Sequence, residues 1–372
     1  MTVTLLSGAE PSTSNTDNNV RDMLPPAELE PDAAPLLALM NKIGSMPAKN
    51  PKVEWTENEL KPRIIGLSAS ATSAATAWGV AADIFTVGDV VNFTRDGFSV
   101  LVTATAAGAI TGTAIGTQVS AASAGSELFI TSNANAEGSS LTEIKITQLV
   151  SQYNYCQIVQ EPFGVTGTED WTNHYGGDER TRLQKTHGVH HARQLEQINF
   201  FGVRSLQGTN QRTSGGIKYY LTTNVTPLTT MTVAQWETFL NTGFRFGSSE
   251  KIAFCSPKGI QALNGFAQSN IRVVNDRAST YGVNMHQYVS GQGIVNIVAH
   301  KDWNDSTIYG GYIFLVDMDA VKSRPGRPTK LQGGVQAPDY DGYKDRWFSE
   351  YTIAVQHERK HALLTGLTGL NA

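Results

Sequence analysis

The chain has 372 residues, with 29 Lys+Arg against 33 Asp+Glu, a net charge of −4, and only 17% charged residues beside 35 glycines. Its length suggests two or three domains and a hydrophobic core that needs no disulfide or metal staple. The acidic balance weighs against a grip on DNA or anionic lipid, and scarce charge suits a chain that buries its surface against other chains. Cys156 and Cys255 have no zinc-knuckle or redox spacing and read as buried thiols in a reducing compartment. The first residues lack the basic start and apolar run of a signal peptide, and no stretch reaches the roughly 18 apolar residues of a membrane span. The expectation is a soluble protein that begins in the cytoplasm.

In chain order, residues 1–52 read as an extended arm, carrying five prolines from Pro25 to Pro47. Proline removes donors and blocks helix interiors, so only a short helix around Leu36–Lys42 fits there. Composition changes after Pro62-Arg63, and Leu101–Ser140 is dominated by Ala, Thr, Ser and Gly with no Lys, Arg or Pro. Branched and aromatic residues alternate in this region: Phe85 with Val87, Val91 with Phe93, and Phe98 with Val100 and Val102 after an Asp96-Gly97 turn. Leu128 with Ile130 and Ile144 with Ile146 repeat the pattern. This predicts a small all-β module over 67–146 with a core of Phe85, Val91, Phe93, Phe98, Val100, Leu128 and Ile130.

Gly176 to Ser205 carries helical spacing, with Asp178 and Glu179 at its start, Gly202 at its end, and Leu183, Ala192, Leu195, Ile198 and Phe201 as the apolar stripe. Shorter helices are predicted at Val233–Asn241 and, behind Ser256-Pro257, at Lys258–Phe266. Strands are predicted at Ile271–Val274, Gly293–Ala299, Tyr309–Val316, Trp347–Gln356 and Ala362–Leu364. Helices and strands are segregated and form no βαβ repeat, so the fold class is α+β.

The sharpest enzymatic match is His357-Glu358-Arg359-Lys360-His361, which satisfies H-E-x-x-H. A zincin needs that motif on a helix and needs a third ligand, and here it follows an alternating strand and precedes no His, Asp or Glu. The expectation is a charged turn between two strands. His187, His190 and His191 share a helix face; the spacing suits a metal or a pH switch, but a solvated or interface face is the commoner use. Gly291-Gln292-Gly293 begins a dinucleotide pattern that Asn296 breaks, and Arg324–Lys330 reads as a solvated or intersubunit basic loop. No catalytic, cofactor-binding or metal-ligating residue is assigned, and no cofactor is expected.

The order of elements resembles the major capsid protein of tailed bacteriophages, in the branch with a β-domain inserted in the E-loop. The resemblance is carried by Val53-Glu54-Trp55-Thr56-Glu57-Asn58-Glu59-Leu60, by Gln157 to Thr168, by Gln194 to Gly202 with Gly215-Gly216-Ile217, and by the strand pair around Tyr351–Gly366. It implies an N-arm over 1–52, E-loop strands at 53–66 and 147–170, an inserted domain at 67–146, a P-domain of 171–214 and 331–372 with a spine helix, and an A-domain mainly over 215–330. It also implies pentamers and hexamers of the chain tiling an icosahedral head around double-stranded DNA, enclosed without specific binding, in the virion after assembly in the host cytoplasm. A separate scaffolding protein, a portal and decoration proteins would be the partners, with no membrane. Some members cross-link through an E-loop Lys, and only Lys61 and Lys145 flank this excursion. The other reading, a β-rich surface or adhesion protein, is opposed by the missing signal peptide; a zinc hydrolase rests on five residues.

Overall fold

Alternating β-branched and aromatic residues between Gly- and Ser-rich turns make strands the dominant element. The computed structural model describes residues 34–71, 75–93, 97–116, 124–139, 147–172, 177–267, 285–305 and 309–368. Asp96, Ile144, Lys145, Ile146, the strand expected at Ile271–Val274, and the arm before Ala34 lie outside the described residues. In chain order come α1 (Pro35–Ile43), β1 (Lys52–Glu57), β2 (Ile64–Gly66), β3 (Ala77–Gly79), β4 (Asp89–Phe93), β5 (Phe98–Ala106), β6 (Ala109–Ile115), β7 (Glu127–Asn133) and β8 (Val150–Tyr155). There follow β9 (Gln157–Thr166), α2 (Gly167–Trp171), α3 (Glu179–Phe201), β10 (Ser205–Gln207), β11 (Gln211–Thr213), α4 (Ile217–Tyr220), β12 (Val225–Pro227) and α5 (Val233–Phe244). The last part runs β13 (Glu250–Cys255), α6 (Pro257–Ala267), β14 (Met285–Ser290), β15 (Gly293–Ala299), β16 (Ile313–Val316), β17 (Val321–Gln332), β18 (Gly342–Val355) and β19 (Ala362–Thr365).

The chain divides into two compact units, one of Thr56–Gln152 and one of the residues before and after it. The smaller unit is a six-stranded sheet in the order β2-β7-β4-β5-β6-β3, with antiparallel neighbours throughout. The seven core residues expected from the alternation are all buried in one cluster, joined by Trp78, Val102 and Ile110, and the Phe93 and Phe98 rings stack at 4.3 Å. Phe85 enters the cluster from the irregular segment before β4, not from a strand. The sheet also begins earlier than the expected boundary at 67. Ile64–Gly66 pairs with β7 and buries Ile65, because β7 would otherwise present an open edge.

Among the described residues the larger unit holds, besides the short β10-β11 hairpin, two sheets. One is the three-stranded β17-β18-β9, antiparallel, with α3 packed along it. The other is mixed, in the order β12-β19-β16-β13-β15-β14, with β13 parallel to β15 and β12 parallel to β19. Its two faces are both covered. Phe254, Phe314, Val316 and Leu363 share a cluster with Leu195 and Phe200 of α3, while Ala253, Cys255, Ile313, Leu315 and Leu364 pack with α5 and α6. Double coverage explains why Ile313-Phe314-Leu315-Val316 is apolar without alternation. As the sequence signals, Ser256 Oγ accepts from Gly259 N at 3.2 Å with Pro257 opening α6, and the structure adds a capping box of Thr232 and Gln235 on α5.

Candidate assembly site

The long helix α3 is where the arm and both sheets of the larger unit converge, so its faces set what the chain can hold and what it leaves open. Asp178 caps it, accepting from Arg180 N and Thr181 N at 3.3 and 3.1 Å. It ends at Gly202 because another backbone passes there: a Cβ on Gly202 would lie 2.4 Å from Ser214 O, and one on Gly216 would lie 2.5 Å from Ile198 O. The recurrence of Gly202 and Gly215-Gly216 in the sequence therefore marks a backbone crossing.

The buried face of α3 is more polar than its apolar stripe predicts. Leu195 is buried as expected, but Ile198 and Phe201 are only partly buried, and His191, Glu196, Asn199 and Phe200 face the core instead. The stripe is rotated because α1 and β18 present polar atoms that α3 must meet. Glu196, fully buried, accepts from Leu36 N and Leu37 N, both at 2.8 Å, and so caps the start of α1 from another element. His300 Nε2 stands 3.4 Å from the same carboxylate, and its ring stacks on Trp303. Beyond α1, Met46 N and Ala48 N donate to Ser323 O and Pro325 O, so the arm continues along the edge of β17. The helix expected at Leu36–Lys42 is thus held by one carboxylate 160 residues away in sequence.

The three helix histidines do not share one environment. His191 is buried, hydrogen-bonded to Ser349 Oγ at 2.6 Å, and burial lowers its pKa. His187 bonds Glu161 Oε1 at 2.9 Å and stacks on Phe163, while His190 is exposed. The sheet strands β9 and β18 cover one side of α3, so of the face expected to be solvated or an interface only His190 stays open within the chain. Between α3 and β9 runs an open groove of about 770 Å³ lined by both pairs of partners, Glu161 with His187 and Asp302 with Arg193. Among the described residues no group of three or more His, Cys, Asp or Glu is placed to hold a metal ion. Cys156 and Cys255 are both buried free thiols, and burial pushes Cys156 up to about 11.

His357–His361 lies in a single 3-10 turn between β18 and β19, not on an α-helix. His357 takes φ 54°, the left-handed conformation of the turn. Glu358 accepts from Thr222 N and Thr222 Oγ1, Asn224 Nδ2 donates to Arg359 O and His361 O, and His361 Nδ1 accepts from Asp317 N at 3.1 Å. Lys360 O accepts from Lys251 Nζ, which also donates to Gly243 O and Phe246 O at 2.6 and 2.7 Å. The turn thus fastens α5, β13 and the segment after α4 to the end of β18. Lys251 is 1% exposed, and burial lowers its pKa to about 8, against the pull of Asp317. Lys251→Met removes three bonds and leaves carbonyls buried, so it is expected to cost about 2–3 kcal/mol. A fall in Tm, with faster hydrogen exchange over residues 243–248, measures it.

Two further expectations change. Arg324–Lys330 is not a loop: it lies in β17, with register shifts on either side of Arg327, whose Nε donates to Glu350 at 2.7 Å. Gly291-Gln292-Gly293 forms the hairpin turn between β14 and β15. The chain also leaves large apolar side chains in solvent, with Leu60 91%, Trp171 83% and Leu149 65% exposed. Side chains of this kind are covered in proteins that pack against other chains.

A strand-dominated fold built on one long helix, with an arm clamped to it and apolar side chains left open, is that of a chain that packs against other chains. The family model described as SU10 major capsid protein matches residues 9–368, and the chain belongs to that family. Among solved structures, the capsid of an empty GTA particle is 9% identical with a TM-score of 0.53, over 98% of this chain and 100% of that one. The native GTA capsid gives 8%, 0.53, 97% and 100%, and a structure of Mycobacterium phage Ogopogo gives 12%, 0.49, 96% and 99%. No curated protein matches the sequence. The α+β fold is that of phage major capsid proteins, and the role is structural: the chain forms the capsid shell of the virion from copies of itself.

Proposed function

We propose that this chain associates as pentamers and hexamers that tile an icosahedral head around double-stranded DNA, with no enzymatic activity of its own. The observation that carries the reading is the match of the capsid family model over residues 9–368, with Leu60, Leu149 and Trp171 left uncovered in the single chain. In this reading residues 1–52 are the N-arm, 53–66 and 147–170 carry the E-loop strands, α3 is the spine of a P-domain of 171–214 and 331–372, and the A-domain is drawn mainly from 215–330. Lys61 lies 3.6 Å from Asp89, which supports a shell without a covalent E-loop link. A separate scaffolding protein, a portal and decoration proteins complete the head, which assembles in the host cytoplasm. Sedimentation and electron microscopy of the purified chain, alone and with the other head proteins, test this. Capsomers or shells are expected, and a monomer under both conditions overturns it.

The smaller unit is proposed as an inserted domain on the outer surface, supported by its self-contained core and by the lack of Lys and Arg over Leu101–Ser140. Replacing residues 59–148 with a short Gly/Ser linker keeps β1 and β8 and removes the whole sheet. Particles are expected to form and to melt at a lower temperature than wild type. Chains that make no capsomers would place the segment in the core fold.

A further inference from the structure

Where the arm leaves the edge of β17 to become β1, it bends around a hollow lined by unmatched positive charge. Met46 N and Ala48 N donate to Ser323 O and Pro325 O, and Pro51 O accepts from Cys156 N at 2.8 Å, so the bend is fixed at both ends. It encloses about 510 Å³, with Arg324 of β17 on one wall and Lys49, Lys52 and Glu54 on the other. Arg324 Nη1 donates to Met46 Sδ at 3.9 Å, a weak acceptor, and its Nε is buried with no hydrogen-bond partner among the described residues. Lys49 is exposed and pairs with no carboxylate among the described residues. Lys52 bonds Glu54 and lies 4.5 Å from the centre of the Tyr153 ring. The carboxylate next along, Glu350, is held by Arg327 at 2.7 Å and Arg212 at 3.4 Å. Three cations therefore line one pocket whose only carboxylate is already paired.

A buried guanidinium donor without an acceptor is costly, and proteins leave few of them. The chemistry of the pocket calls for an oxyanion. The planar guanidinium fork fits two oxygens of such a group, while the lysines approach as flexible point charges from the facing wall. A carboxylate has its two oxygens occupied by the fork, whereas the tetrahedral oxygens of a phosphate also point toward the lysines. We propose that the pocket between residues 45–54 and Arg324 binds a phosphate group, with Arg324 as the fork and Lys49 and Lys52 as the closing charges. Lys52 has three donors and serves Glu54 and the ligand together. The chain's net −4 does not oppose this, because screening confines distant exposed charges to about 8 Å at physiological salt. Inorganic phosphate and the backbone of a nucleic acid share this chemistry. Occupied, the pocket ties the arm to β17 by charge as well as by the two backbone bonds. The proposal stands on this pocket alone and does not depend on how copies pack.

Binding of inorganic phosphate to the full chain, in whatever assembly it forms, is read by phosphorus NMR line broadening and by the rise in Tm at constant ionic strength, with chloride and acetate as references. Saturable binding is expected. Arg324→Lys keeps the charge and loses the fork, and Lys49→Gln removes an exposed cation; each is expected to weaken binding about tenfold. Lys185→Gln, on the exposed side of α3 and outside the pocket, is expected to bind as wild type does. The Tm of Lys49→Gln in chloride should match wild type, which separates lost binding from lost folding. A short oligothymidylate that displaces phosphate from wild type assigns the pocket to backbone phosphates, and one that does not assigns it to free phosphate; either result keeps the phosphate assignment and names its source. No saturable binding, acetate bound as tightly as phosphate, or an equal loss in the Lys185 variant would overturn it.

Discussion

Glu196→Ala should detach the arm. The substitution deletes a fully buried carboxylate that accepts from Leu36 N and Leu37 N, leaving two donors at the start of α1 without that partner. Hydrogen bonds to a buried charged group are the strong kind, and stranding their partners adds a desolvation cost, so about 3 kcal/mol is expected. The loss should concentrate in the arm: hydrogen exchange over residues 35–48 rises strongly, while the β17-β18-β9 ladder changes less. Glu196→Gln keeps one acceptor oxygen and should recover part of the protection. If both variants left exchange in residues 35–48 at the wild-type rate, the carboxylate would not be what holds α1. Shell assembly is expected to fail with the arm, because α1 and the residues after it, paired along β17, stand or fall together.

Acid should loosen the chain through His361. Its ring is fully buried, and burial, then the nearby Lys251 cation, lowers its pKa to about 3. In the unfolded chain a histidine titrates near 6.5. Between about pH 3 and 6.5 the unfolded state therefore binds more protons than the folded one, so stability present above that window is lost as pH falls through it. This group alone supplies a slope of up to about 1.4 kcal/mol per pH unit there. Tm measured from pH 7 down to pH 4 should fall more steeply for wild type than for His361→Asn, which keeps an acceptor for Asp317 N and cannot take the proton. Parallel pH profiles would show that His361 titrates normally. Lys251 acts in the opposite range: its folded pKa of about 8 lies below the unfolded 10.4, so its unfavourable charged burial is relieved as pH rises through that interval.

These two residues also show where reading the sequence succeeds and where it stops. His361 was part of the H-E-x-x-H match, and its position after an alternating strand already argued for a turn. The partners that make the turn matter, Asp317, Lys251 and Thr222, are 44, 109 and 136 residues away for their respective contacts, and no local pattern indicates them. Glu196 gave no signal at all. A charged residue within a polar helix reads as solvent-facing, and only the arrival of α1 makes the inner position favourable. The rotation of the α3 face follows from the same cause, since Ile198 and Phe201 sit at its flank once Glu196 and Asn199 turn inward.

What depends on short-range pattern was legible in the residues alone: the caps Asp178 and Ser256-Pro257, the strand alternation, Gly202 at the end of α3, and the seven-residue core of the smaller sheet. Each of these is set within a few residues, by backbone donors, side-chain period or steric allowance. Tertiary structure decided the rest: the inclusion of Ile64–Gly66 in that sheet, the strand identity of Arg324–Lys330, the separate environments of His187, His190 and His191, and the clamps at Glu196 and Lys251. Those depend on which polar atoms a distant segment brings into a dry interior, where an unpaired donor or charge costs more than local propensity can offset.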